Sequence, residues 1–422
     1  MPVAAGLMVN GIATYAFLGI ANRTLSAAEY SAIGVFWALM FAVGNGIMQP
    51  LEQEVARAVS GRRAAGLGAG PVVKRAAIIG AGFSLIVTLV VIVLHRWFEG
   101  WFNQEDMLVV AFVIGLVGFC AGHLTRGTLS SQRRYSAYAL FFGVDGVSRV
   151  ILAVILAGIG VTLAGPFGLA MAITPFIGVA IALARQKGLV EPGPEAPWTE
   201  LTRNLGWLLM GTVSIALIVQ GGTIAVGILA GPDQQGAAGQ FLNGLQTARI
   251  PLFLFQAVLA SLLPKLSHLA GSGHLDEFIA ALRRLVLTIL GFGVFTTIAA
   301  GVFGPFVIGI VFGTDSTLTG RDLALLAGAF ILIMATICLD QGLIALGAHS
   351  RMAIGWLLAL GVFVGVTALG SDLFLRVEIG LLSAAVWAFA WMAFCLRGQL
   401  RHPAELHEID LVETLAELPF ES

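Results

Sequence analysis

The chain has 422 residues, of which 58% are hydrophobic and 11% charged, with a mean hydropathy of +0.93 and a formal net charge of -1. That much apolar surface does not fit inside one water-soluble core, so lipid is the expected solvent for most of the chain and no soluble domain is left over. The Lys and Arg residues sit in short loops and form no broad basic face, which argues against nucleic acid as a partner.

A spanning helix needs about 20 mostly apolar residues to cross roughly 30 Å of hydrocarbon. The first such run is 3–21; no basic region precedes it and another apolar run follows, so it reads as a first helix and not as a cleaved signal peptide. The second, 31–49, carries Asn45 and Gln49 as polar lining and leads into Pro50-Leu51-Glu52-Gln53-Glu54-Val55-Ala56-Arg57. Glu52 and its neighbours are either solvated interfacial charges or functional groups. The third and fourth runs are 76–94 and 107–124, the latter closing at His123, which reads as a satisfied interfacial histidine. The fifth, 137–157, carries Asp145 and Arg149, spaced to meet on one helical face as an ion pair that is either structural or lines a cavity. The sixth is 166–184.

Between 185 and 203 lies Glu191-Pro192-Gly193-Pro194-Glu195-Ala196-Pro197, a composition that resists helix and suits an extended linker. Six more runs follow: 205–230, 238–263, 285–303, 323–346, 353–370 and 377–396. The first two of these are long enough to require tilt or a bend. Arg249 lies about midway along 238–263, two residues before Pro251, whose missing N–H can bend the helix and open carbonyls towards a cavity. A guanidinium at that depth suits the bidentate grip of phosphate oxygens, with snorkelling or an interhelical pair as the other reading. Asp340, towards the cytoplasmic end of 323–346, is either a proton-binding group or an interfacial carboxylate. Beyond Arg401 the tail is acidic and is either a short amphipathic helix or disordered.

With both ends inside, the inside loops collect Arg57, Arg62, Arg63, Lys74, Arg75, Arg126, Arg133, Arg134, Arg185, Lys187, Arg203, Lys265, Arg283, Arg284, Arg351, Arg397 and Arg401, while Arg23, Arg96, Arg321 and Arg376 fall outside. This asymmetry satisfies the positive-inside rule and supports an even number of spans with cytoplasmic termini. The linker divides the chain into halves of 1–190 and 200–397, with a tail at 398–422, and the halves align as parallel repeats at an offset of roughly 215 residues. Cys120, Cys338 and Cys395 all lie in apolar runs and read as small buried hydrophobes. Small residues four apart, Gly80 with Ser84 and Gly361 with Gly365, predict close helix packing. No H-E-x-x-H, P-loop, G-x-S-x-G or zinc spacing is present, so the sequence offers no support for an enzyme, a metal site or a cofactor.

The stretches Leu25-Ser26-Ala27-Ala28-Glu29-Tyr30-Ser31, Pro50-Leu51-Glu52-Gln53-Glu54, Arg126-Gly127-Thr128-Leu129, Ala248-Arg249-Ile250-Pro251 and Leu262-Leu263-Pro264-Lys265 resemble the polysaccharide and O-antigen flippases of the multidrug/oligosaccharidyl-lipid/polysaccharide exporter superfamily. The resemblance covers nearly the whole membrane region and rests on loose, hydrophobic motifs. It implies an all-α membrane protein of twelve to fourteen helices, here about twelve, in two six-helix bundles around a central cavity. It further implies the movement of a polyprenyl-pyrophosphate-linked oligosaccharide across a bacterial cytoplasmic membrane by alternating access. By the same resemblance Arg249 would hold the diphosphate, with Arg23 a weaker match, and Asn45, Gln49 and Gln220 would hydrogen-bond sugars. Glycosyltransferases or a glycan polymerase are the implied partners beside the lipid-linked substrate and membrane lipid. Few arginines in the first two spans and no added carboxy-terminal helix pair make the peptidoglycan precursor a less fitting cargo. A proton- or sodium-coupled multidrug or metabolite exporter of the same superfamily is the alternative, with Asp145, Arg149, Glu52 or Asp340 at its ion site. A non-transporting scaffold for glycan assembly is a third.

Overall fold

The computed structural model describes residues 2–202, 205–252, 255, 262, 266, 269, 274–313 and 317–401. Helices dominate it: α1 (Pro2–Thr24), α2 (Ala27–Ala64), α3 (Gly70–Val93), α4 (His95–Trp101), α5 (Asp106–Ser131), α6 (Tyr135–Gly158), α7 (Ala164–Leu183) and α8 (Thr199–Thr202). These are followed by α9 (Leu205–Leu229), α10 (Ala237–Ala248), α11 (Leu275–Val311), α12 (Gly320–Ala345), α13 (His349–Leu369) and α14 (Leu373–Arg401). Among the described residues, 11 helices are long and apolar enough to cross a membrane. The remaining expected span, 238–263, is described as regular helix only to Ala248.

Helices are the required form because lipid offers no partner to a bare N–H or C=O, and a helix satisfies both within one segment. Their ends follow local chemistry. Ser26 caps α2 by accepting from the Glu29 N–H at 3.3 Å, and Asp322 caps α12 by accepting from the Thr319 N–H at 2.8 Å. The outward faces are apolar: Ile86 and Val93 on α3 and Phe295 and Phe306 on α11 are all exposed. Such side chains sit at no cost only against acyl chains, and the protein is a multi-pass membrane protein.

Each set of six spans packs alike. In the first, α1 lies on α6, α2 on α5, α3 on α5, α5 on α7, and α6 on α7. The second repeats this order: α9 lies on α13, α10 on α12, α11 on α12, α12 on α14, and α13 on α14. The two six-helix bundles meet mainly through α2 on α9 and α10.

Several expectations are corrected. The second span does not stop at 49 but continues through Pro50 to Ala64, 38 residues in all, so α2 reaches about 57 Å and outruns the bilayer. A short helix absent from the predicted set, α4, follows α3 and carries Trp97 and Trp101, a residue type suited to a membrane interface. The linker is not a free spacer: Gly70 N–H donates to the Glu191 carbonyl at 2.8 Å, and Arg62 holds its carboxy-terminal part. Close packing is seen at Gly80, where an added Cβ would meet Cys120 Sγ and Leu51, whereas Gly361 and Gly365 face open space. The acidic tail and Leu263-Pro264-Lys265 lie outside the described residues, as does Arg203.

Candidate functional site

The centre of interest is the seam where α1, α9 and α10 meet. α10 is a 12-residue helix that ends at Ala248, and Arg249 is its C-cap, with φ -94° and ψ 6°. Pro251 cannot supply the N–H that the Thr247 carbonyl would take in a continuous helix, so the break falls where the sequence puts it. The break lies about 18 Å along α10 from its first residue, a distance that matches about half the thickness of a bilayer. Arg249 is 6% exposed, and its Nη1 donates to Gln220 Oε1 of α9 at 3.3 Å. Tyr15 of α1 donates its hydroxyl to the Gln246 carbonyl at 2.7 Å. The Gln246 side-chain amide is fully buried one turn from Arg249, and neither of its polar atoms has a hydrogen-bond partner among the described residues. A guanidinium, two amides and a phenol therefore converge from both bundles on one buried point.

Outward of this point the bundles are tied together. Tyr30 donates to Asn243 Oδ1 at 2.5 Å in a buried bond, and Ser31 Oγ accepts from the Gly239 N–H at 3.3 Å. At the rim, Arg23 Nη2 donates to the Ile310 carbonyl at 2.6 Å and Asn22 donates to the Phe312 carbonyl. Arg23 is thus exposed at the outer end and engaged by α11, away from the seam where Arg249 lies. Gln220 is brought to Arg249 as described. The helix that continues from Pro251 is mostly outside the described residues, and so is the part of the expected central cavity that it would line.

Two polar nodes lie within the first bundle. In one, Asp145 and Arg149 form the expected pair at 2.5 Å. Thr174 Oγ1 donates to Asp145 Oδ1 at 2.8 Å and Asn10 Nδ2 to Asp145 Oδ2 at 3.0 Å, so the carboxylate is held from three helices. The guanidinium stacks on Trp37 at 5.6 Å, while its Nε and Nη1 have no hydrogen-bond partner among the described residues. In the other node, Glu52 Oε2 accepts from Arg126 Nη2 at 2.6 Å and from Nε at 3.0 Å. His123 Nδ1 lies 2.8 Å from the same oxygen and its Nε2 3.2 Å from Asn45 Oδ1. Arg126 also faces the Phe142 ring at 5.0 Å. Gln49 is exposed and takes no part.

Arg126, placed in a loop by the sequence reading, lies within α5, and His123, expected to be satisfied, joins it with Glu52 and Asn45 in a largely buried cluster on α2 and α5. Asp340 is buried and accepts from Trp356 Nε1 at 2.7 Å. Glu378, fully buried in α14 with no hydrogen-bond partner among the described residues, was not singled out either, although it is a carboxylate at the edge of an apolar run. His95, Glu99 and Asp106 gather around α4 with ligand-type atoms within 4.8 Å of one another; two of the three are exposed, an arrangement common without a metal.

No family model matches the chain. It is 26% identical over 409 residues to the uncharacterized protein Rv3630 of Mycobacterium tuberculosis, covering 92% of this chain and 87% of that one. It is 27% identical over 362 residues to the uncharacterized protein Rv1510 of the same species, covering 82% and 79%. Among solved structures it is similar to an inward-facing multidrug resistance MATE family transporter of the MOP superfamily, with TM-score 0.72 and 13% identity over 95% of this chain and 96% of that one. A point mutant of the Vibrio cholerae MATE transporter VcmN gives TM-score 0.66 and 16% identity over 94% and 95%. The fold is that of the MATE transporters.

Proposed function

We propose that the protein is a flippase that carries a lipid-linked, polyprenyl-pyrophosphate oligosaccharide across the bacterial cytoplasmic membrane by alternating access, with both termini in the cytoplasm. The observation that carries this reading is Arg249: a buried cation at a helix break, at mid-membrane depth, on the seam between two bundles. A charge so far from water is costly unless it meets protein partners or a polar cargo or pathway, and a position on the seam between bundles favours the second role. In the proposed cycle the bundles rock about that seam, so the diphosphate reaches Arg249 from one side at a time while the polyprenyl chain stays in hydrocarbon. Gln220 and Gln246 flank the cation and would take hydroxyl or phosphate oxygens. The bonds between outer ends support a state open towards the side that the cation pattern assigns to the cytoplasm. Asn45 is engaged by His123, so a sugar contact there requires that contact to open, whereas Gln49 is already exposed. Glycosyltransferases or a glycan polymerase would then act as partners on the lipid-linked substrate.

The test is reconstitution in vesicles with a fluorescent polyprenyl-pyrophosphate oligosaccharide. Wild-type protein should move the probe between leaflets; Arg249→Ala should lose that activity at equal incorporation, and Arg249→Lys should keep part of it. Full activity of Arg249→Ala would overturn the assignment.

The second reading, a cation-coupled exporter of drugs or metabolites, is favoured by Asp340 and Glu378, two buried carboxylates with oxygens that lack a partner among the described residues. At Asp145 it meets an obstacle, because Arg149 already supplies the counter-charge at 2.5 Å. Flipping that is indifferent to proton and sodium gradients would count against coupling.

A further inference from the structure

The hollow beside the linker has no role in the seam chemistry. It measures about 570 Å³ and is lined by Pro71, Lys74, Arg75, Ile78, Glu195 and Trp198, among others. Its walls are the first two turns of α3 and the docked segment of the linker, at the end of the molecule that the cation pattern assigns to the cytoplasm.

Three observations say what fits there. First, the charges are available. Arg62 close by is consumed structurally, donating to both Glu200 carboxylate oxygens at 2.9 and 3.2 Å and to the Pro194 carbonyl at 2.8 Å. Lys74 and Arg75, by contrast, make no hydrogen bond or ion pair among the described residues. Arg75 lies over the Trp198 ring with its guanidinium carbon 4.7 Å from the centroid, a cation–π contact that uses none of its N–H donors. Secondly, α3 supplies no counter-charge: its first turn contains no acidic residue, and Lys74 and Arg75 follow side by side in the second. Glu195 on the opposite wall offsets one of the two charges, which leaves the hollow net positive. Thirdly, the mouth continues into lipid. Ile78 and Trp198 are exposed, and above Ile78 the face of α3 presents Leu85, Ile86 and Leu89 to the acyl chains. An indole at this level marks the membrane interface.

We propose that this hollow binds the headgroup of an anionic phospholipid of the cytoplasmic leaflet, with Lys74 and Arg75 taking its phosphate and Trp198 and Ile78 lying beside the start of its chains. A bound lipid would bridge α3 and the linker and fasten the connection between the bundles to the first bundle. This site is separate from the seam and does not depend on which cargo the protein carries.

The experiment is native mass spectrometry of the full chain released from nanodiscs that contain equal amounts of phosphatidylglycerol and phosphatidylcholine. Wild-type protein should retain phosphatidylglycerol preferentially, and Lys74→Gln with Arg75→Gln should weaken that retention about thirtyfold. Lys74→Arg with Arg75→Lys should preserve most of it, which guards against a folding defect. The control is Arg283→Gln with Arg284→Gln, which removes two exposed cations elsewhere on the same side and should leave retention unchanged. Equal losses in the two neutralised pairs would reduce the effect to general surface charge and overturn the proposal. Displacement of the lipid by millimolar inorganic phosphate would identify a simple anion site and would overturn it as well.

Discussion

At the scale of single residues, the Asp145–Arg149 pair is the clearest case of what charge does inside this protein. The pair is buried and 2.5 Å apart, with Asn10 and Thr174 completing the carboxylate. Removing one partner strands the other in a low-dielectric interior, at a typical cost of about 3–5 kcal/mol. Arg149→Met should therefore lower the thermal midpoint in detergent strongly, and Asp145→Leu combined with Arg149→Met should recover much of the loss. An additive double variant would mean that the two side chains do not act as a pair. The pairing was legible in the sequence because four residues along a helix is one turn. The Glu52, His123 and Arg126 cluster was not, because Glu52 lies 74 residues from Arg126 and only the packing of α2 on α5 joins them. A cation near a helix end looks the same in sequence whether it faces water or a carboxylate on the next helix.

At the scale of elements, helix interruptions and the linker carry most of the information. Regular helix stops at Ala248, three residues before Pro251, inside a 26-residue apolar run that reads in sequence as one span. Pro251→Ala should restore the missing backbone bond and turn Arg249 away from Gln220, and flipping should fall by tenfold or more with the guanidinium still present. Unchanged flipping would mean that the break is dispensable. The docking of the linker was not legible, because its Pro and Gly content predicts only that it will not be helical; nothing in that composition announces the tertiary contacts of Arg62. Arg62→Ala leaves the Glu200 carboxylate and the Pro194 carbonyl without their donor. Limited proteolysis should then cut the 186–198 segment several times faster than in wild type, with the spans intact. The length of α2 was hidden for a related reason: hydropathy reports where lipid ends, and a helix that continues into water leaves no hydropathy signal.

At the scale of the molecule, span number and the two-bundle plan were readable because apolar length and cation asymmetry are set by the bilayer itself. How the bundles touch was not, since Tyr30 with Asn243 and Tyr15 with Gln246 pair residues more than 200 positions apart. These contacts predict a conformational equilibrium that can be shifted. Tyr30→Phe combined with Arg23→Ala removes two ties between the outer ends, each worth about 0.5–1.5 kcal/mol. A cysteine introduced as Gln246→Cys should then react several times faster with a membrane-impermeant thiol reagent added from outside; the native cysteines are buried and contribute little background. An unaltered rate would show that closure rests on apolar packing alone. The rim contacts themselves have a curious property. Asn22 and Arg23 grasp main-chain oxygens of Phe312 and Ile310, atoms that every amino acid possesses. The α11 half of this clasp is therefore independent of side-chain identity: Ile308 and Phe312 are constrained by their own burial in the core, and only a change in where that turn ends would release the grip.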